Sequence, residues 1–385
     1  MKRIEHPLLV ESLGSQRSLS SWHFEPEAGI TLTGPTVYLQ ASLHAEELPG
    51  MLALHHLIAM LTQAELAGHL RGRVVVVPVA NPIGLSQRVD HKPMGRFELA
   101  SSENFNRHYP DLCQALWPVV KDKLGPDAQH NVQLIRRAAQ DYLAAWQAPT
   151  QLQSLRKTLL SLAVQADVVL DLHCDCEAVM HLYAEEPCAA TLLPLAQWLG
   201  ARAVLISHGS GGLCFDECLS GLWWQLAALA SQLPTPVPVP QACASTTVEL
   251  RGEGDVSHAY AMADANALMA YLQSLGVVRQ GDAPAPVPPA LQCEPTPLAG
   301  AQLVRTPVPG IVVFAAEVGQ ELKKGDLVAE IINPLAVAQA QTTRIYAEVD
   351  GVMYARTRDR YALAHAELAN IAGHVAFRTG PLLGA

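Results

Sequence analysis

Two short, nearly all-apolar runs constrain this chain most. Arg73-Val-Val-Val-Val-Pro-Val-Ala80 and Asp167-Val-Val-Leu-Asp-Leu-His173 show almost none of the alternation expected of a strand with one wet face. A strand reads this way when both its faces are covered, as in a parallel or mixed sheet between two helix layers. Residues 32–42, 203–207 and 246–250 read as further strands. Helix-like stretches lie between them, at 51–66, over most of 112–164, and at 258–275. The alternation predicts an α/β fold, a mixed central sheet with helices on both faces.

Composition changes near residue 280. Gly281-Asp-Ala-Pro-Ala-Pro-Val-Pro-Pro-Ala290 is Pro-rich and reads as a semi-rigid linker. The expected division is a large domain over 1–280, a linker over 281–298 and a small all-β domain over 299–385. In the last, Pro309-Gly310 and Asp350-Gly351 each lead a short apolar run, which suggests an internal duplication. Val318-Gly-Gln-Glu-Leu-Lys-Lys-Gly-Asp326 resembles a turn of biotinyl/lipoyl-like barrel-sandwich domains. Such carriers are modified on a hairpin lysine, and residues 332–343 contain none. The resemblance therefore extends to the fold and not to the carrier function.

Charge and cysteines exclude several classes of function. With 26 Lys and Arg against 36 Asp and Glu, the net charge is −10, unsuited to a general polyanion-binding surface. No nucleic-acid partner is expected. No stretch approaches the roughly 18 apolar residues of a membrane span, and no signal peptide is legible, so the expected address is cytoplasmic. The eight cysteines form no paired CxxC knuckles, and free thiols are expected.

The residues that could carry chemistry cluster at the ends of the expected strands. His44-x-x-Glu47 follows the first, and such strand ends build sites in α/β folds. His173 closes the 167–173 run, with Asp171 on the same strand face. Two histidines and a carboxylate, with one position left over, make a catalytic zinc arrangement rather than a closed structural one. Glu249 lies inside an apolar strand. It is either a general base raised by burial or a partner of Arg251 on the same face. Arg96 and Asn106-Arg107 bring cationic donors suited to carboxylates and oxyanions. Arg107 could instead serve its own loop through Asp111 or Glu103.

His44-x-x-Glu47, Asn81-Pro82, Arg96, Asn106-Arg107, Asp171-Leu-His173 and Val248-Glu249-Leu-Arg251 occur in the order found in zinc carboxypeptidase-like hydrolases. The set most resembles the succinylglutamate desuccinylase/aspartoacylase branch, which often carries a small C-terminal β domain. The resemblance implies one zinc ion on His44, Glu47 and His173. It makes Glu249 the base that activates water, Arg96 the holder of the oxyanion, and Asn106 and Arg107 the binders of a substrate carboxylate. The implied activity is cleavage of the amide bond of a small N-acyl amino acid. A metallocarboxypeptidase acting on peptide C-termini and a catalytically silent binding protein of the same fold are the alternatives. A homo-oligomer is left open. The chain departs from its relatives in three places: Glu46 offers a rival ligand, Cys174 follows His173, and Arg88 competes with Arg96. The long 112–164 stretch is expected to reshape the pocket.

Overall fold

The computed structural model describes residues 1–279, 281, 284–337 and 341–383. Gln280 at the expected domain boundary, Asp282 and Ala283 of the expected linker, and residues 338–340 of the Lys-free stretch lie outside the described residues.

Among the described residues, nine strands form the central mixed sheet. Their spatial order is Lys2–Pro7, Ser18–Phe24, Arg73–Val77, Thr36–Ala41, Val168–Asp175, Ala244–Gly252, His181–Glu185, Ala203–Ser207 and Thr296–Pro297. Thr36–Ala41 runs parallel to both its neighbours, and Val168–Asp175 is parallel to Ala244–Gly252. These are the central strands, and the first three of them are buried almost throughout, as their apolar composition requires. Ala244–Gly252 pairs antiparallel with His181–Glu185, which makes the sheet mixed.

Helices cover both faces. Pro49–Leu66, Ala189–Leu199 and His258–Ser274 close one core through Leu54, Leu195 and Leu268. Leu112–Val120, Ala128–Ala145, Gln151–Ala163 and Phe215–Ser231 close the other through Leu116, Ile135, Leu155 and Leu219. The expected 112–164 helical stretch is thus three helices, each started by a side-chain cap from Asp111, Asp127 or Thr150. No helix among the described residues is long and apolar enough to cross a membrane.

The C-terminal domain consists of two antiparallel sheets around a core of Val312, Val328, Ile331, Met353, Leu368 and Ile371. The duplication seen in the sequence has a structural counterpart. Gly310–Phe314 pairs with Leu327–Ile332 from its own half and with Tyr361–Ala362 from the other. Gly351–Arg356 pairs with Glu367–Gly373 and takes Glu321–Leu322 in exchange. Each half therefore completes the other's sheet.

Two features tie this domain to the first. Thr296–Pro297, at the end of the 281–298 stretch, adds an edge strand to the large sheet beside Leu205 and Ile206. Glu177–Ala178, just beyond the strand that carries His173, pairs with Ala355 and Arg356. Glu177 also accepts from Arg356 Nε at 2.6 Å and Arg360 Nη2 at 2.8 Å. The small domain is thereby held against the C-terminal ends of the site strands.

Candidate active site

His44 sits in the turn after Thr36–Ala41, and Glu47 lies in the same turn, just before Pro49 begins a helix. His173 lies near the end of the adjacent parallel strand. The topology thus brings three residues, 129 positions apart at the extremes (173 − 44), to the carboxyl ends of two adjacent central strands. His44 Nδ1 is 3.0 Å from Glu47 Oε1, and His173 Nδ1 is 2.8 Å from Glu47 Oε2. All three residues are buried, and their ligand atoms lie within 4.8 Å of one another.

The opposite ring nitrogens are held by acceptors. His173 Nε2 lies 3.0 Å from Asp171 Oδ2, and His44 Nε2 lies 2.9 Å from Asn104 Oδ1. A carboxylate or amide oxygen facing Nε2 favours the proton there, so that a bound cation would find the Nδ1 lone pair free beside Glu47. Two imidazole lone pairs and a carboxylate then converge on one point. Such a donor set needs a cation, and two nitrogens with one oxygen suit zinc. The residues therefore fit a metal ion.

Asp171 is itself braced. Tyr38 donates to Gln40 Oε1 at 2.9 Å, and Gln40 donates to Asp171 Oδ1 at 3.0 Å, all inside the core. Burial opposes a charge on His173, but the Asp171 and Glu47 carboxylates outweigh it and raise its pKa well above the ordinary value. His44 goes the other way, down to about 4, through burial and the nearby Arg96 charge.

Glu249 faces His173 across the parallel pair. Its Oε2 is buried and has no hydrogen-bond partner among the described residues. Burial, and then the Glu47 charge, raise its carboxyl well above the usual range. The alternative pairing with Arg251 does not occur. Arg251 adopts a left-handed backbone (φ 63°) at a break in the strand register. Its guanidinium takes both oxygens of Asp264, at 3.1 and 2.6 Å.

Arg96 reaches the cluster because Gly95 precedes it. A Cβ on Gly95 would lie 2.5 Å from the Glu46 nitrogen, so only glycine permits this approach. Arg96 Nη1 is 3.7 Å from Glu47 Oε1 and remains partly exposed. The rivals lie elsewhere: Arg88 is exposed and donates to the carbonyls of Leu85 and Gln87, while Glu46 accepts from Gly95 N.

The 103–107 loop is pinned by Arg156, which donates to Glu103 Oε2 at 2.8 Å and Asn104 O at 3.0 Å. This is how the inserted helices bear on the site. Asn106 accepts from Phe215 N at 2.9 Å and places Nδ2 3.4 Å from His173 Nε2. Arg107 donates to Asn106 O and lies 3.3 Å from Cys214 Sγ. Glu103 and Asp111 are committed to Arg156 and to the Gln114 amide respectively.

His44, Glu47, Arg96, Asn106, Arg107, His173 and Glu249 all line one cleft of about 230 Å³. Sequence reasoning missed Asn104, although it stands two residues before Asn106 in the same motif. It also missed Glu185, Asp216 and Glu217 on the first domain, and Tyr354, Glu367 and Asn370 on the second, which complete the cleft walls. Nothing local in the sequence marks these residues.

No curated protein matches the chain in sequence. Solved structures do resemble it. A succinylglutamate desuccinylase/aspartoacylase family protein from Shewanella amazonensis is 25% identical, with a TM-score of 0.82 over 97% of this chain and 98% of that one. A second, from Shewanella frigidimarina, is 23% identical with a TM-score of 0.82, over 100% and 99% of the two chains. The product-bound ectoine utilization protein EutE (DoeB) from Ruegeria pomeroyi shares the fold at 15% identity and a TM-score of 0.66, over 96% and 94%. The family model for the succinylglutamate desuccinylase/aspartoacylase catalytic domain matches residues 33–274, which carry every cleft residue from His44 to Glu249. With more than half its length matched, the chain belongs to the succinylglutamate desuccinylase/aspartoacylase family, a family of hydrolases.

Proposed function

We propose that this chain is a cytoplasmic zinc-dependent hydrolase that cleaves the amide bond of an N-acyl amino acid or related small acylated amine. One observation carries the reading. The His44, Glu47 and His173 donor set, a Glu249 carboxyl whose buried Oε2 has no hydrogen-bond partner among the described residues, and the Arg96 and Arg107 guanidinium groups share a single cleft.

His44, Glu47 and His173 would hold the zinc. When bound, zinc supplies a Lewis acid that makes water more acidic and a carbonyl more electrophilic. Glu249 takes a proton from the attacking water and returns it to the leaving nitrogen as the C–N bond breaks. Its raised proton affinity suits both transfers. Arg96 holds the negative charge that develops on the carbonyl oxygen. Arg107 pairs with the substrate carboxylate, and Asn106 keeps it in place through the carbonyl it offers to Nη1. A cleft of this volume suits a small molecule, and Tyr354 and Asn370 of the C-terminal domain contribute to its lining.

The test is a panel of N-acetyl, N-formyl and N-succinyl amino acids, with short peptides alongside, assayed for amine release in the presence of zinc. Release from the acyl amino acids and not from the peptides is the expected result. Release from peptide C-termini alone would make the chain a carboxypeptidase, and release from neither would remove the catalytic reading.

A further inference from the structure

One wall of the cleft carries acidic groups that the reaction described above does not use. Glu185 ends the strand His181–Glu185, next to the strand of Glu249. Asp216 and Glu217 occupy the first turn of the helix Phe215–Ser231. All three line the same cleft as the metal-ligating cluster.

The two helix residues have structural explanations. Acidic groups are favoured at a helix N-terminus, and Glu217 also accepts from Ser210 N at 2.7 Å. Glu185 has no such explanation. Its side chain is 3% exposed, and Oε1 accepts from Trp224 Nε1 at 3.0 Å. Oε2 is buried with no hydrogen-bond partner among the described residues. The charges that act on Glu185 most strongly, those of Glu217 and Asp216, have its own sign. A buried carboxylate that faces like charges and leaves one oxygen without a donor is costly, and a cation placed at that oxygen would relieve the cost.

The opposite pole of the cleft is close by along the chain. Arg107 contacts Cys214, the residue before the helix that bears Asp216 and Glu217. A ligand that places a carboxylate on Arg107 therefore meets the acidic wall with its remaining polar group.

We propose that Glu185, with Asp216 and Glu217 beside it, is a subsite for a protonated amino group of the substrate. The preferred substrate is then an N-acyl amino acid whose side chain ends in a primary ammonium. This deepens the amide-hydrolase reading and rests on it. An ammonium brings three donors and one positive charge, which supplies the donor that Glu185 Oε2 lacks. A second carboxylate at the same place, as on an acylated acidic amino acid, would bring a further like charge against this acidic wall and be disfavoured.

The test uses two ligands that differ only in the amine, Nα-methanesulfonyl-L-ornithine and N-methanesulfonyl-L-norvaline. Neither has a hydrolysable amide, so calorimetric binding is read independently of turnover. At about pH 8 the side-chain ammonium is charged. The wild-type protein is expected to bind the ornithine ligand at least about tenfold more tightly, and Glu185→Gln to bring the ratio near unity. The Nα-acetyl pair, assayed for turnover, should show the same order in kcat/KM. Equal or tighter binding of the norvaline ligand by the wild type, or no binding of either, would overturn the subsite. A preference that survives in Glu185→Gln would remove Glu185 from it. Should the Gln variant not fold, Glu217→Gln takes its place and is expected to reduce the same ratio; an unchanged ratio counts against the acidic wall. If the binding preference holds but no acetyl compound releases amine, the hydrolase reading fails and the subsite stands.

Discussion

Asp171 Oδ2 lies 3.0 Å from His173 Nε2, two residues away on the same face of one strand. The other ring nitrogen faces Glu47, with Nδ1 2.8 Å from Oε2. Carboxylates placed behind metal-binding histidines typically govern metal affinity by 10–100-fold. Asp171→Asn keeps the shape and can still accept from Gln40, so the fold should persist. The expected outcome is a loss of zinc affinity of about 10–100-fold, read by competition with a chromogenic chelator. Unaltered affinity would show that Asp171 does not prepare His173 for a metal.

Glu249→Gln removes a proton carrier without removing volume. It should retain zinc and the melting temperature while turnover falls by roughly 10²–10⁴-fold. Near-normal turnover in a variant verified to be metal-loaded would exclude Glu249 as the base.

Arg107 is assigned to a substrate carboxylate. In Arg107→Ala, kcat/KM for a free-acid substrate should drop far more than for its carboxamide, because a guanidinium pairs strongly only with the charged form. Equal losses on both would make Arg107 a structural residue of its loop.

Glu185 also predicts a stability profile. Burial, with the Glu217 and Asp216 charges, pushes its carboxyl up to about 7. Since the folded state holds this proton more tightly than the unfolded chain, protonation favours folding. That contribution is complete below about pH 4 and is lost as pH rises through the folded value. Glu185→Gln should therefore match the wild type in acid and exceed it by about 1–3 kcal/mol above neutrality, as measured by urea denaturation across pH. No gain at high pH would mean that Glu185 is paired.

The sequence and the structure agree where local pattern suffices. Apolar runs mark the strands of His44 and His173, and the ordered polar motifs mark the cleft. Legibility stopped where a residue's role is set by a distant partner. Arg251 was placed on the face of Glu249 by strand periodicity, but its left-handed backbone turns it to Asp264 on a helix. Glu185 was invisible because His181-Leu-Tyr-Ala-Glu185 is short and mixed in character, and only the tertiary fold reveals its missing partner. The strands Lys2–Pro7 and Ser18–Phe24 escaped notice for a related reason. Lys2–Pro7 is the edge strand and Ser18–Phe24 the strand beside it, where polar side chains are tolerated and the apolar signal is weak. The presence of Tyr354 and Asn370 in the cleft lining goes with the pairing of Glu177–Ala178 with Gly351–Arg356, which no local motif announces.

The central claim is that His44, Glu47 and His173 form one metal site. Elemental analysis of the purified wild type beside His173→Ala, both after zinc loading and desalting, tests it most directly. One zinc per wild-type chain, and little or none in the variant, is the predicted result. Equal zinc content and affinity in the two proteins would contradict it.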